Sequence, residues 1–121
     1  MPATIIRPSE RRLVPVKPSA DAGVTGTSSI QRQIVCDDTP YVHIVEVAAG
    51  HRIPAHSHSQ PEVTVILSGS ARIGGTLCEA GTVVSIPADE AYSIEAGPGA
   101  LTMVVVRPAA SSYRWAAPGE Q

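Results

Sequence analysis

Short runs of alternating or continuous hydrophobic positions follow one another along the chain and predict β-strands. The clearest runs cover residues 30–36, 41–48, 63–67 and 82–86, and they are rich in Val, Ile and Thr. β-Branched residues at a two-residue period are typical of strands. Residues 101–106 (LTMVVV) are almost wholly apolar, which predicts a strand buried on both faces.

Glycine and proline separate these runs at regular intervals. Gly74-Gly75 divides two short apolar pieces, residues 71–73 and 76–78, as a hairpin turn does. Pro87 ends one strand, and Gly97-Pro98-Gly99 precedes the last apolar strand. We count about eight or nine short strands and no amphipathic helix. The pattern predicts an all-β sandwich or barrel.

The chain has 121 residues, a length typical of one domain. We expect an irregular arm over residues 1–29, a barrel over residues 30–108 and a tail over residues 109–121. The arm is rich in proline, and a Gly/Ser/Thr/Ala stretch at residues 19–29 predicts a loop. It forms either one or two edge strands, or a segment that wraps a partner subunit, or else a disordered arm; the pattern leaves these alternatives open.

Charge and cysteine content exclude several classes of function. The formal net charge is −2 and the pI is near 6.0, so the chain lacks the basic surface of a nucleic-acid-binding protein. There is no apolar run long enough to span a membrane and no signal-peptide core, so we expect a cytoplasmic protein. Cys36 and Cys78 are not part of a CxxC pair, which argues against a zinc–thiolate site.

The candidate chemistry lies in residues 50–69, GHRIPAHSHSQPEVTVILSG. His56 and His58 are two positions apart, so on a strand they point to the same face. Glu62 then opens the next strand. Two imidazoles and one carboxylate form a facial triad that leaves coordination positions open on a divalent metal ion. Without a metal, the negative charge of a buried Glu62 would be unpaired.

The spacing of Gly50, His56, His58, Glu62 and Gly69 resembles the first signature of the cupin family. Residues 81–92 resemble the second signature at Gly81 and Pro87, but Asp89 stands where the family has glycine, and Tyr92 stands where it has a histidine ligand. The resemblance covers roughly residues 30–107. It implies a cupin-type jelly-roll β-barrel, a double-stranded β-helix with few or no helices.

Tyr92 leaves three interpretations open. In the first, Tyr92 does not bind the metal, which is held by two histidines and one carboxylate alone, with more positions open to substrate or oxygen. Its phenol can itself coordinate the metal or act as acid or base, because a nearby cation lowers its pKa. In the third interpretation the metal has been lost and Tyr92 only fills space. Our prediction keeps His56, His58, Glu62 and Tyr92 as metal ligands, with Tyr92 and Glu62 as catalytic residues.

The resemblance implies a metal-dependent enzyme that acts on a small organic molecule. Fe²⁺ would favour oxygenase chemistry, our first expectation, whereas Mn²⁺, Ni²⁺, Co²⁺ or Zn²⁺ would favour a Lewis-acid lyase, isomerase or cyclase. The alternative is a non-catalytic module that binds a ligand or metal. We expect a homodimer without nucleic-acid or membrane partners. Candidate residues of the substrate pocket are His43, His51, Thr64, Ile66 and Met103.

Overall fold

The computed structural model of the protein describes residues 2–16 and 29–115. These residues form one 3₁₀ helix, Pro8–Glu10, and eleven strands. The strands are β1 (Val14–Pro15), β2 (Ile30–Asp37), β3 (Tyr41–Val47), β4 (Arg52–His58), β5 (Glu62–Ser68), β6 (Ser70–Ile73), β7 (Thr76–Glu79), β8 (Val83–Ile86), β9 (Tyr92–Ala96), β10 (Leu101–Arg107) and β11 (Tyr113–Trp115).

Two antiparallel sheets face each other. The six-stranded sheet has the order β1-β2-β3-β10-β5-β8, and the five-stranded sheet has the order β11-β4-β9-β6-β7. The chain crosses between the sheets at Gly69, which joins β5 to β6 with a φ of 79°. This conformation suits glycine because it has no Cβ. From β3 to β6 and again from β7 to β11, consecutive strands alternate between the sheets, and the two sheets enclose a common interior.

The interior is filled by aliphatic side chains from the inward faces of the strands. Ile66, Leu101, Met103 and Val47 are at most 2% exposed. β10 lies between β3 and β5 in the middle of the larger sheet; Leu101, Met103 and Val105 are buried, whereas Val104 and Val106 on its other face are half-buried. The predicted inward alternation of Glu62, Thr64 and Ile66 along β5 is confirmed, since all three are buried.

The all-β prediction is confirmed, and two strands lie outside the predicted barrel of residues 30–108. Val14–Pro15 pairs with β2, in the arm for which edge strands were one of the alternatives. Tyr113–Trp115, expected to be part of a tail, pairs with β4. Residues 17–28, which include most of the predicted Gly/Ser/Thr loop, lie outside the described residues. Within residues 2–16 and 29–115, no helix is long and apolar enough to cross a membrane.

Candidate active site

A cavity of about 420 Å³ opens between the two sheets. Most of its wall is apolar or aromatic, and charged and imidazole groups lie together in it. The lining residues are Val16, Ile30, Arg32, Tyr41, His43, Val45, Ile53, His56, His58, Glu62, Tyr92, Ile94, Met103, Val105, Arg107, Ala110, Ser111, Tyr113 and Trp115. An apolar cavity with a few convergent polar groups is typical of a small-molecule site.

Strand β4 places both histidines of the HxH segment in this cavity, as the two-residue spacing predicts. Their ring centroids lie 4.9 Å apart. Strand β11 covers them from the edge of the sheet, with Tyr113 paired to His58 and Trp115 paired to His56. The indole of Trp115 lies 5.4 Å from the His56 ring. The histidines are therefore enclosed by aromatic side chains.

His56 presents an unprotonated nitrogen to the cavity. Its Nδ1–H donates to the carbonyl oxygen of Pro54 over 2.9 Å, and because a carbonyl only accepts, the proton of the neutral ring is on Nδ1. Nε2 therefore carries a lone pair. Burial lowers the pKa of His56 below 6.5, so the imidazole is neutral near physiological pH.

Glu62 is 4% exposed and uses both carboxylate oxygens. Oε2 accepts hydrogen bonds from the Thr64 hydroxyl, 2.6 Å away, and from the Tyr92 hydroxyl, 3.1 Å away. Oε1 accepts from Nη2 of Arg107 at 2.9 Å and from its Nε at 3.1 Å. Burial would raise the pKa of Glu62, but the Thr64 bond and the Arg107 charge outweigh it and lower that pKa. The carboxylate is therefore ionised and paired.

Arg107 is the residue of this site that our sequence prediction missed. It ends β10, two positions after Val105 and four after Met103, so it shares their inward face. The register pairs Val105 with Thr64 and Val106 with Val63; one step further, Arg107 lies beside Glu62. The alternation of β10 thus contained the signal, but the predicted strand ended at residue 106, one position before Arg107.

The same guanidinium also contacts His58. Nη2 of Arg107 lies 3.3 Å from Nε2 of His58, and because arginine only donates, this Nε2 accepts. The proton of the neutral ring is then on Nδ1, which is buried without a hydrogen-bond partner among the described residues. Burial and then the charge of Arg107 lower the pKa of His58 to about 4.

The donor types fit a divalent metal ion, but their arrangement does not. In the described part of the chain, no group of three or more His, Cys, Asp or Glu side chains is arranged to hold a metal ion. Arg107 lies between Glu62 and His58 and already neutralises the carboxylate. The expectation that Glu62 would be unpaired without a metal is therefore wrong, because it did not include Arg107.

Tyr92 is buried beside the carboxylate of Glu62. Its hydroxyl donates to Glu62, and its side chain is 6% exposed. Burial and then the negative charge of Glu62 raise its pKa, whereas a metal cation would lower it.

Asp89, in the loop before β9, has a φ of 66°, a conformation that aspartate tolerates. It therefore adopts the backbone conformation expected of the glycine that the family has at this position.

The remaining predicted pocket residues differ in position. His43 and Met103 line the cavity. Thr64 orients Glu62, and Ile66 is buried in the core without lining the cavity. His51 does not line it either, because it lies in the turn before β4, where its carbonyl accepts from the amide of Ala96. Tyr113 and Trp115 lie in the segment that the sequence analysis assigned to the tail, yet both line the cavity.

Comparison with known proteins gives structural matches alone. No protein-family model matches the chain, and no curated protein sequence matches it significantly. The polyketide cyclase RemF from Streptomyces resistomycificus matches with a TM-score of 0.77 and 18% identity, over 97% of this chain and 87% of RemF. An RmlC-like cupin protein from Ralstonia eutropha JMP134 gives 0.74 and 14%, over 97% and 78%. KdgF from Halomonas sp. gives 0.69 and 16%, over 90% and 96%.

The two facing antiparallel sheets, with a site between them, define a jelly-roll barrel protein. The structural matches confirm the resemblance noted in the sequence: the chain has the cupin fold.

Proposed function

We propose that this cupin-fold protein is an enzyme that moves a proton on a small organic carbonyl compound held in the cavity. This places it among the lyases, isomerases and cyclases of our expectation. The observation that carries the proposal is a neutral His56 whose Nε2 lone pair has no partner among the described residues. A buried neutral imidazole next to a ligand cavity is suited to act as a general base.

Arg107 supplies the positive charge that such a reaction needs. Its Nε and Nη2 are hydrogen-bonded to Glu62 and His58. Its Nη1 makes no hydrogen bond to a described residue, and it is not one of the fully buried polar atoms without a partner. A developing enolate oxygen would be stabilised by this fixed cation, because donors held in place need no reorganisation. His56 Nε2 takes the proton from the adjacent carbon and then returns it to the product.

Glu62, Thr64 and Tyr92 position the arginine in this proposal. The carboxylate is held by both hydroxyls, and in turn it holds the guanidinium through two N–H groups. Tyr92 is a hydrogen-bond donor with a raised pKa, so it contributes as a positioning residue.

Unpaired polar atoms around the cavity support a polar ligand. Nδ1 of His43, Nδ1 of His58 and Nε1 of Trp115 are buried without hydrogen-bond partners in the described ranges, and all three residues line the cavity. A buried unsatisfied polar group costs about 1–3 kcal/mol. A ligand with several oxygen acceptors would offset part of this. The similarity to a polyketide cyclase supports chemistry on carbonyl compounds.

Deuterium exchange tests the proposal. ¹H NMR in D₂O would follow loss of the carbon-bound protons next to the carbonyls over a panel of 1,3-diketones, β-keto acids and phenolic ketones. We expect wild type to accelerate exchange for at least one compound and His56→Gln to lose about 10²–10⁴-fold. His51→Gln is the matched control, because His51 does not line the cavity. Equal exchange by wild type and His56→Gln over the whole panel would refute the enzyme, and saturable binding without exchange would favour a binding module.

A further inference from the structure

The guanidinium of Arg107 fills the place where a metal ion would contact Glu62 and His58. Nη2 of Arg107 lies 2.9 Å from Oε1 of Glu62 and 3.3 Å from Nε2 of His58. Those two acceptor atoms are 3.9 Å apart. A metal ion bound to both would lie about 2.0–2.2 Å from each, between them and in contact distance of Nη2. Metal and guanidinium therefore exclude each other.

Arg107 keeps its positive charge at this position. Arginine does not lose its proton in proteins, so a metal ion would always meet a charged guanidinium here. Its side chain is only 11% exposed, on the inward face of the central strand. A divalent ion would have to break three charge-assisted contacts and then lie beside a fixed positive charge, where the low dielectric strengthens repulsion.

We propose that Arg107 replaces the metal ion in this barrel. The wild-type protein does not bind divalent transition-metal ions at the site, and loss of the Arg107 charge opens a latent metal site. This inference does not depend on the proposed enzymatic activity. It assigns a cation role to a residue outside both signature motifs.

The ligands of the latent site are already oriented. His56 bonds Pro54 through Nδ1, which leaves Nε2 as a donor atom in the way that metal-binding histidines are usually held. Removal of Arg107 frees Nε2 of His58 and Oε1 of Glu62, while Thr64 and Tyr92 still hold Oε2. Two imidazole nitrogens and one carboxylate oxygen then remain, which suits Co²⁺, Ni²⁺ or Zn²⁺.

Cobalt titration tests this, with visible absorption and metal content after gel filtration as readouts. We expect wild type and Arg107→Lys, which keeps the cation, to retain essentially no Co²⁺. Arg107→Met and Arg107→Gln should each bind about one Co²⁺ per chain. Glu62→Gln added to Arg107→Met should weaken that binding by about tenfold or more. Arg72→Met is the matched control, because Arg72 is exposed on the other sheet.

Thermal unfolding keeps the test decisive if the apo variants are unstable. Co²⁺ should raise the Tm of Arg107→Met and leave that of wild type unchanged, because only a protein with a site is stabilised by a ligand. One Co²⁺ per chain in wild type, lost in Glu62→Gln, would overturn the proposal. So would failure of both Arg107→Met and Arg107→Gln to bind more Co²⁺ than wild type or to gain Tm from it.

Discussion

Replacing Arg107 by Met removes the cation from a buried ion pair, and we expect a large loss of stability. The pair joins Nη2 of Arg107 to Oε1 of Glu62 over 2.9 Å, with the two side chains 11% and 3% exposed. Methionine keeps an unbranched apolar stem but lacks the guanidinium group and its charge, so the part of the cavity wall formed by the stem is kept. The variant leaves a carboxylate in the barrel with only two hydroxyl donors, from Thr64 and Tyr92.

The magnitude follows from burial. Removal of one partner of a buried ion pair costs about 3–5 kcal/mol, because the other charge stays uncompensated. Removal of both charges costs much less, since the desolvation penalty disappears with them. We therefore expect Arg107→Met and Glu62→Gln each to lose several kcal/mol, and the double variant to be more stable than the sum of the two losses predicts. The coupling energy should be about 2 kcal/mol or more.

The dependence of stability on pH provides a second test of the ion pair. In wild type, the pKa of Glu62 is below 4.5, so its stabilising effect is present above that pH and is lost as the pH falls. Without Arg107, burial raises the pKa of Glu62 above its unfolded value. The stability of Arg107→Met then falls as the pH rises through that value. The difference between wild type and variant should therefore shrink towards about pH 4.

Urea unfolding measures these free energies, followed by far-UV circular dichroism and by Trp115 fluorescence with EDTA present to exclude metal. Arg72→Met is the control for loss of an exposed arginine and should change stability by less than about 1 kcal/mol. A cost for Arg107→Met as small as the control's, or strictly additive losses in the double variant, would refute a buried and functionally fixed pair.

Three further predictions follow from other sites. Burial, then Arg107 and Arg32, hold the pKa of His43 at about 4 instead of 6.5. Because the unfolded chain binds more protons between these values, stability should decrease by up to about 3 kcal/mol as the pH is lowered from 6.5 to 4, and His43→Asn should reduce this decrease in urea titrations. Asp89 has a positive φ, so Asp89→Gly should keep or raise the Tm and Asp89→Val should lower it. Val63, Leu67 and Val83 are 40%, 41% and 62% exposed on the outer face of the larger sheet. If these side chains form the predicted homodimer contact, Leu67→Asp should give a monomeric mass in light scattering. A monomeric wild type would contradict the predicted homodimer.

Much of the fold could be predicted because strand periodicity and turn chemistry are local properties. The predicted strands recur within a few residues of their observed bounds, and Gly50, Gly69 and Gly81 all adopt positive φ, as turn glycines do. Strand β11 was missed because it holds three residues whose pairing depends on the edge of β4, which is a non-local contact. Its sequence, Tyr-Arg-Trp, has strand propensity, but propensity alone does not separate it from a tail.

The charged and imidazole residues of the site show the limit of predictions made from short sequence segments. His56, His58 and Glu62 were found because they lie close in sequence, whereas Arg107 lies 45 residues beyond Glu62. The register between β5 and β10 makes them neighbours, and a register is fixed only by packing of the two inward faces. An inward-facing arginine at the end of an apolar strand requires a buried acid, and a buried Glu62 requires a cation. Considering both residues together would have predicted the Arg107–Glu62 ion pair. A metal ion or an arginine can each neutralise the carboxylate, but only the arginine is part of the sequence.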